Sequence, residues 1–134
     1  GHRLSTGEME EVLAAHTAIA ECSVIGIHDS LKGQVPVGLV LLKDGVDIDE
    51  QTLQSDLIAM VRKEIGPLAC FQRAVIVPRL PKTRSGKILR KLLRQLADNH
   101  EVTVPSTIDD PASVPEIRDI MHSQGLIKPA TRAS

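Results

Sequence analysis

A small α+β domain, with a three-stranded sheet and helices packed on it, is the fold class this sequence predicts. Three observations lead there. Three segments repeat apolar residues at helical spacing, three short runs are rich in Val and Ile, and the order of elements is roughly α-β-β-α-β-α. At 134 residues the chain has room for one compact domain with a modest core.

The first helix is predicted from Ser5, because Ser5-Thr-Gly-Glu8 has capping-box form, with Ser5 accepting from a first-turn amide and Glu8 reaching back. Met9, Val12 and Leu13 give it one apolar face, and the pattern ends near His16. Residues 22–28 are apolar, β-branched and few enough to form a strand, and 29–33 read as a turn. Residues 35–43 form a second apolar run; Pro36, which has no amide to give a neighbour, confines its beginning to an edge or to the strand's first residues. Lys43-Asp-Gly45 closes that run as a turn. A second long helix begins at Asp47 or Asp49, both good N-caps. It carries Leu53, Leu57, Met60 or Val61, and Ile65 at helical spacing and stops at Gly66-Pro67. Residues 74–78 are the third strand candidate. A third helix is predicted from about Gly86 to Ala97, with Leu89, Leu92, Leu93 and Leu96 on its buried face and Lys87, Arg90, Lys91 and Arg94 largely opposite. Beyond Asp98-Asn99 the chain turns polar, and Ser113-Val-Pro115 opens one more short helix through Ile117, Ile120 and Met121, stopped by Gly125. The domain is therefore drawn as residues 1–125, with 126–134 as a disordered tail.

Composition narrows the function. With 42% hydrophobic and 25% charged residues the chain reads as an ordinary soluble globular protein. No apolar run is long enough to cross a bilayer and no signal peptide opens the chain, so no membrane partner is expected. Cys22 and Cys70 are too few for a disulfide framework, and their apolar neighbours predict buried free thiols. The five histidines show no zinc-ligand spacing. The chain lacks an initiator Met and a motif begins at residue 1, so it reads as cut from something larger.

The chemistry concentrates in Pro81-Lys82-Thr83-Arg84-Ser85-Gly86-Lys87-Ile88-Leu89-Arg90. Pro81 fixes the backbone entering the segment, while Ser85 and Gly86 form a small, mobile turn that presents the Lys87 ammonium at the start of a helix. Taken alone, six basic residues between Lys82 and Arg94 most often make a solvated helix face. A phosphate-binding P-loop fails at both ends, since Pro81 stands where its first glycine belongs and Ile88 where Ser or Thr must follow the lysine. A nucleic-acid patch lacks aromatic stacking groups, with one Phe and no Trp or Tyr, and the net charge of −1 opposes it.

The decapeptide resembles, residue for residue, the last signature motif of the adenylate-forming acyl-CoA synthetases. Gly1-His-Arg-Leu-Ser-Thr-Gly-Glu-Met-Glu10 resembles the loop and helix after the hinge between the two domains of those enzymes. Ile25-Gly-Ile and Leu31-Lys-Gly-Gln34 sit at familiar places between. Val61-Arg-Lys-Glu-Ile-Gly-Pro67 is similar to the acetyl- and propionyl-CoA synthetase branch, and Thr107-Ile-Asp-Asp-Pro-Ala-Ser113 leans toward propionate–CoA ligases. The chain thus resembles the C-terminal lid domain of a short-chain acyl-CoA synthetase, with the large N-terminal domain absent.

The resemblance implies an acid–thiol ligase in the full-length protein, an AMP-forming enzyme joining propionate or acetate to coenzyme A with ATP and Mg2+, and an inactive isolated fragment. Lys87 would bridge the carboxylate and the ATP α-phosphate during adenylation. After rotation of the lid, Gly1 would lie beside the pantetheine tunnel, Arg3 at the adenylate phosphate and Arg62 near the CoA nucleotide. Main-chain oxygens of Ala14, His16 and Ile19 would match a magnesium site in some relatives. Partners would be the protein's own N-terminal domain, and a lysine acetyltransferase and deacetylase acting on Lys87. The compartment would be bacterial cytoplasm, or the mitochondrial matrix in a eukaryote. Two other readings stand beside this one: a free-standing basic-helix module for an acidic partner or nucleic acid, and an adenylating enzyme that loads carrier proteins.

Overall fold

A computed structural model of the chain describes residues 6–29, 31 and 33–128. The expected cap at Ser5 and the expected site residues Gly1 and Arg3 lie outside the described residues. The order is α1 (Thr6–Ala14), β1 (Ile19–Asp29), β2 (Gly33–Leu42), α2 (Glu50–Glu64), a 3-10 turn (Pro67–Ala69), β3 (Arg73–Ile76), α3 (Arg90–Ala97) and α4 (Ser113–Ser123). The α+β class and the three-stranded sheet are as the sequence predicts.

The strands run in the order β1-β2-β3. β1 and β2 pair antiparallel from Ile19↔Leu42 out to Asp29↔Gly33, while β2 and β3 pair parallel over Val37–Val40 and Arg73–Ile76. The parallel pair needs a crossover, and α2 supplies it. Pro36 lies in the central strand rather than on an edge strand. It stands opposite Gly26, just before the stretch that pairs with β3, so its missing amide costs no bond to that strand.

Both faces of the sheet are covered, which explains why the strands read as nearly continuous apolar runs. Cys22 and Val24 of β1, Val40 of β2 and Ala74 of β3 join α1 and α2 in one core. Ile25, Ile27, Val37, Leu39 and Val75 face the other way and join α3 and α4 in a second. α2 behaves as expected: Asp49 caps it by accepting from the Thr52 amide at 3.1 Å, Leu53, Leu57 and Val61 are buried, and Gly66 leaves the helix at φ 121°.

Gly38 is where the first core meets the sheet most closely. A Cβ built there would lie 2.9 Å from Leu13 Cδ1 and 3.3 Å from Phe71 Cζ. Leu13 and Phe71 are both buried and have nowhere to go. Gly38→Val is therefore expected to destabilise the domain by about 1–3 kcal/mol, read as a lower urea midpoint at unchanged slope.

Two boundaries differ from expectation. α3 begins at Arg90 rather than near Gly86, because Gly86 adopts φ 95° and residues 82–88 close a hairpin instead. Residues 126–128, expected to belong to a disordered tail, are packed on the domain. Leu126 is buried in the second core and the Lys128 amide donates to Ala97 O at 2.7 Å, while residues 129–134 lie outside the described residues.

Candidate functional site

The signature segment folds back on itself. Lys82 and Ile88 form an antiparallel bridge, the Thr83 amide donates to Lys87 O at 2.8 Å, and the Gly86 amide donates to Thr83 O at 2.8 Å. The Lys87 amide donates to Thr83 Oγ1 at 3.1 Å, and Thr83 Oγ1 lies 2.9 Å from Ser85 Oγ. The threonine and serine of the motif thus organise the turn, and its glycine supplies the one left-handed residue. The hairpin is tied to the rest of the domain through Lys82, Arg84 and Arg90.

Lys87 sits at the exposed end of this hairpin, with no ion pair to its ammonium among the described residues. Its neighbours are engaged. Lys82 pairs with Glu21 of β1. Arg90 grips Glu10 of α1 through Nε at 3.1 Å and 3.0 Å to the two carboxylate oxygens and through Nη2 at 2.5 Å to Oε1. Glu10 Oε2 also accepts from the Val24 amide at 2.9 Å, on the side of β1 that has no neighbouring strand. Hydrogen bonding to Glu10 raises the Arg90 pKa above its ordinary value, so both ends of the hairpin are held by charge pairs. Neither carboxylate was marked by the sequence reading, since Glu10 and Arg90 are 80 residues apart.

This arrangement undoes the picture of one basic helix. Lys82, Arg84 and Lys87 belong to the hairpin, only Arg90, Lys91 and Arg94 belong to α3, and Lys82 and Arg90 are neutralised by partners. The reading as a basic-helix binding module loses the continuous face it needs.

Arg62 is exposed in the last turn of α2 and lines a shallow concavity with Gly66, Pro67, Ala69, Cys70 and Phe71. α2 packs in the first core, whereas Ile88 and Leu89 pack against the second, so Arg62 and Lys87 belong to opposite layers of the sheet. The structure does not bring them together.

Ala14, His16 and Ile19 do cluster, at the end of α1. The His16 ring is occupied, however: Nδ1 accepts from the Ala18 amide at 3.0 Å, which leaves the proton on Nε2 to donate to Asp56 Oδ2 at 3.1 Å. The His16 carbonyl accepts from the Ile19 amide at 3.1 Å. Among the described residues no three His, Cys, Asp or Glu side chains converge as metal ligands. The site the resemblance implies uses main-chain oxygens of Ala14, His16 and Ile19, and the Asp56 carboxylate stands beside them, 3.1 Å from the His16 ring.

Of the two thiols, Cys22 is buried as expected and Cys70 is not. Cys22 is buried, its Sγ donating to Glu10 O at 3.4 Å, and burial pushes its pKa up to about 11, with Glu10 adding to the rise. Cys70 is exposed, because it follows the 3-10 turn at φ 58° and sends Phe71 inward in its place. Since the folded pKa of Cys22 lies above the ordinary value of 9.0, its contribution to stability is complete below pH 9 and is lost between pH 9 and about 11. A thiol reagent at pH 8 is accordingly expected to label Cys70 quickly and Cys22 only on unfolding.

Among the described residues no helix is long and apolar enough to cross a membrane. Comparison with known proteins shows the family. Residues 8–87 match the family described as AMP-binding enzyme C-terminal domain. The chain is 52% identical over 117 residues to "Acyl-CoA synthetase short-chain family member B, mitochondrial" of Dictyostelium discoideum, covering 87% of this chain and 17% of that protein. It is 46% identical over 121 residues to "Acetyl-coenzyme A synthetase" of Bdellovibrio bacteriovorus, covering 89% and 19% respectively. Among solved structures it is similar to the acyl-CoA synthetase of Brucella canis, with a TM-score of 0.64 and 33% identity over 71% of this chain and 17% of that one. The chain therefore spans about a fifth of the length of the curated relatives it matches.

Proposed function

The chain belongs to the AMP-binding enzyme C-terminal domain family, and from that premise we propose that it is the lid of an ATP-dependent short-chain acyl-CoA synthetase. The observation that carries this reading is the hairpin: an exposed ammonium, without an ion pair among the described residues, on a turn whose flanking Lys82 and Arg90 are paired with Glu21 and Glu10.

In adenylation a carboxylate attacks the α-phosphorus of ATP and pyrophosphate departs. Two anions must approach, and Lys87 offers a compact positive charge on a flexible stem to lie between them. Because the turn is fixed in its domain, the charge arrives and leaves with the domain as a body. A rigid lid also explains why Arg62 stands across the sheet from Lys87. Turning the domain withdraws Lys87 and brings Arg62 toward the phosphorylated nucleotide of CoA; by the family resemblance Gly1 would lie beside the pantetheine tunnel and Arg3 at the adenylate phosphate. Magnesium would enter this scheme as the companion of the ATP phosphates, and main-chain oxygens of Ala14, His16 and Ile19 would hold a further ion at the end of α1.

The carboxylate is small, acetate or propionate. Acetate is favoured by the name of the Bdellovibrio relative and propionate by the sequence around Thr107. Lys87, exposed and without an ion pair among the described residues, is also a substrate for a lysine acetyltransferase, and acetylation would remove the charge that adenylation needs. The protein would work in bacterial cytoplasm, or in the mitochondrial matrix of a eukaryote. Steady-state AMP formation by the full-length protein with CoA, ATP and either acetate or propionate tests the proposal. Turnover with one or both supports it, and no AMP from either removes the short-chain assignment.

A further inference from the structure

We propose that the segment following α3 has a positioning role in adenylation: residues 107–109 form the third strand of a ribbon that holds the Lys87 hairpin, and Arg79 locks that strand in place. This rests on the reading of Lys87 given above.

The hairpin alone is only two short strands, 82–84 and 87–89. Such a pair is marginal in water without a third strand or a packed face. The third strand comes from the far side of α3. Thr83 and Ile108 form an antiparallel bridge, the Arg84 amide donates to Thr107 O at 3.0 Å, and the Asp109 amide donates to Lys82 O at 2.8 Å. Strand 82–84 is therefore the middle of three, bonded to the brace on one side and to the Lys87 strand on the other. Ile108, 3% exposed, anchors the brace in the second core.

What fixes the brace along its length is Arg79, from the loop after β3. Its Nη1 donates to Asp110 Oδ2 at 2.5 Å and its Nε to Glu116 Oε1 at 2.9 Å. Asp110 in turn accepts from the Ala112 amide through Oδ1 at 3.0 Å, and its carbonyl accepts from Ser113 Oγ at 2.7 Å. One guanidinium thus ties the brace and the first turn of α4 to the sheet. Hydrogen bonding from Arg79 holds the Asp110 carboxyl below the usual carboxylate range, so the lock stays charged at neutral pH. All three side chains are partly exposed, which limits what the lock adds to global stability. Its effect is on where Lys87 stands. The brace lies beyond the residues matched to the family, so it is a support that the matched region does not itself contain.

The test uses the full-length protein and assays the two half-reactions separately. Asp109→Pro deletes the amide that donates to Lys82, Arg79→Ala releases the lock, and Asp109→Ala, which keeps the amide, is the control. Asp109→Pro and Arg79→Ala are expected to lower kcat for adenylation on the order of 10- to 100-fold. KM for ATP stays unchanged, thioester formation from supplied acyl-adenylate is preserved, and amide exchange at Thr83 and Gly86 accelerates. Arg79→Lys restores part of the loss, and Asp109→Ala behaves as wild type. Normal adenylation by a folded Asp109→Pro or Arg79→Ala protein overturns the proposal, as does equal loss of both half-reactions. If Asp109→Pro does not fold, Arg79→Ala decides the matter. Lys87→Ala in parallel separates the two claims. If it keeps adenylation, the reading of Lys87 falls. If it loses adenylation while the brace variants do not, the brace alone falls.

Discussion

Lys87→Ala in the full-length protein is expected to slow acyl-adenylate formation by roughly 10²–10³-fold, the range seen when one preorganised charge or donor is removed from a developing anion. Thioester formation from supplied acyl-adenylate is expected to survive, because in the proposed scheme the ammonium has no part in displacing AMP by a thiol. The folded state is expected to survive as well. The side chain is exposed, makes no ion pair among the described residues, and contributes to the hairpin only through its backbone. Pyrophosphate exchange reads the first half and CoA consumption from added acyl-adenylate reads the second. Lys87→Gln, a mimic of acetylation, is expected to resemble the alanine variant, since both lack charge.

The second large effect is structural. Glu10 is held at 14% side-chain exposure, where it joins α1, the outer side of β1 and the start of α3 through Arg90 and the Val24 amide. Glu10→Ala leaves the amide of buried Val24 without its acceptor and removes the anchor of the signature's last residue. Arg90, more exposed than its partner, can turn toward water, so its share of the loss is discounted. The expected cost is about 2 kcal/mol, mostly for the orphaned donor. Thermal unfolding should show a Tm lower by roughly 6–10 °C. Glu10→Gln keeps an acceptor for the amide and is expected to lose less. Equal stability of Glu10→Ala and wild type would show that water satisfies the edge of β1 unaided.

Most of the fold was legible because burial and backbone preference agree along the elements. In α2, Leu53, Leu57 and Val61 recur at helical spacing between a good N-cap and Gly66-Pro67, and the helix forms between those limits. Where two signals disagreed, sequence reading took the wrong one. The leucines of α3 project a helical pattern back toward Gly86, yet the hydrogen bonds centred on Thr83 and the left-handed glycine hold the chain in a hairpin until Arg90. Cys70 was placed inside by its apolar neighbours, but a turn sends adjacent side chains in opposite directions and Phe71 took the interior.

The candidate site divides the same way. Lys87 was legible because its motif is contiguous. The groups that hold it are not: Glu10 lies 80 residues from Arg90, Glu21 lies 61 from Lys82, and Asp110 lies 31 from Arg79. A carboxylate on an amphipathic helix carries no mark of which distant guanidinium it will meet. The histidine near the end of α1 repeats the pattern. His16 was expected to matter through its main-chain oxygen, whereas the task of its ring, holding the α1–β1 turn against Asp56 of α2, depends on a partner 40 residues away.

The central claim is that one rigid domain serves two half-reactions with two faces, Lys87 in the first and Arg62 in the second. The most direct measurement compares Lys87→Ala and Arg62→Ala in the full-length protein, with pyrophosphate exchange and thioester formation from supplied acyl-adenylate measured for each. A crossover is expected, with Lys87→Ala losing exchange and keeping thioester formation, and Arg62→Ala keeping exchange while its KM for CoA rises. Loss of the same half-reaction in both variants, or normal exchange in Lys87→Ala, would contradict it.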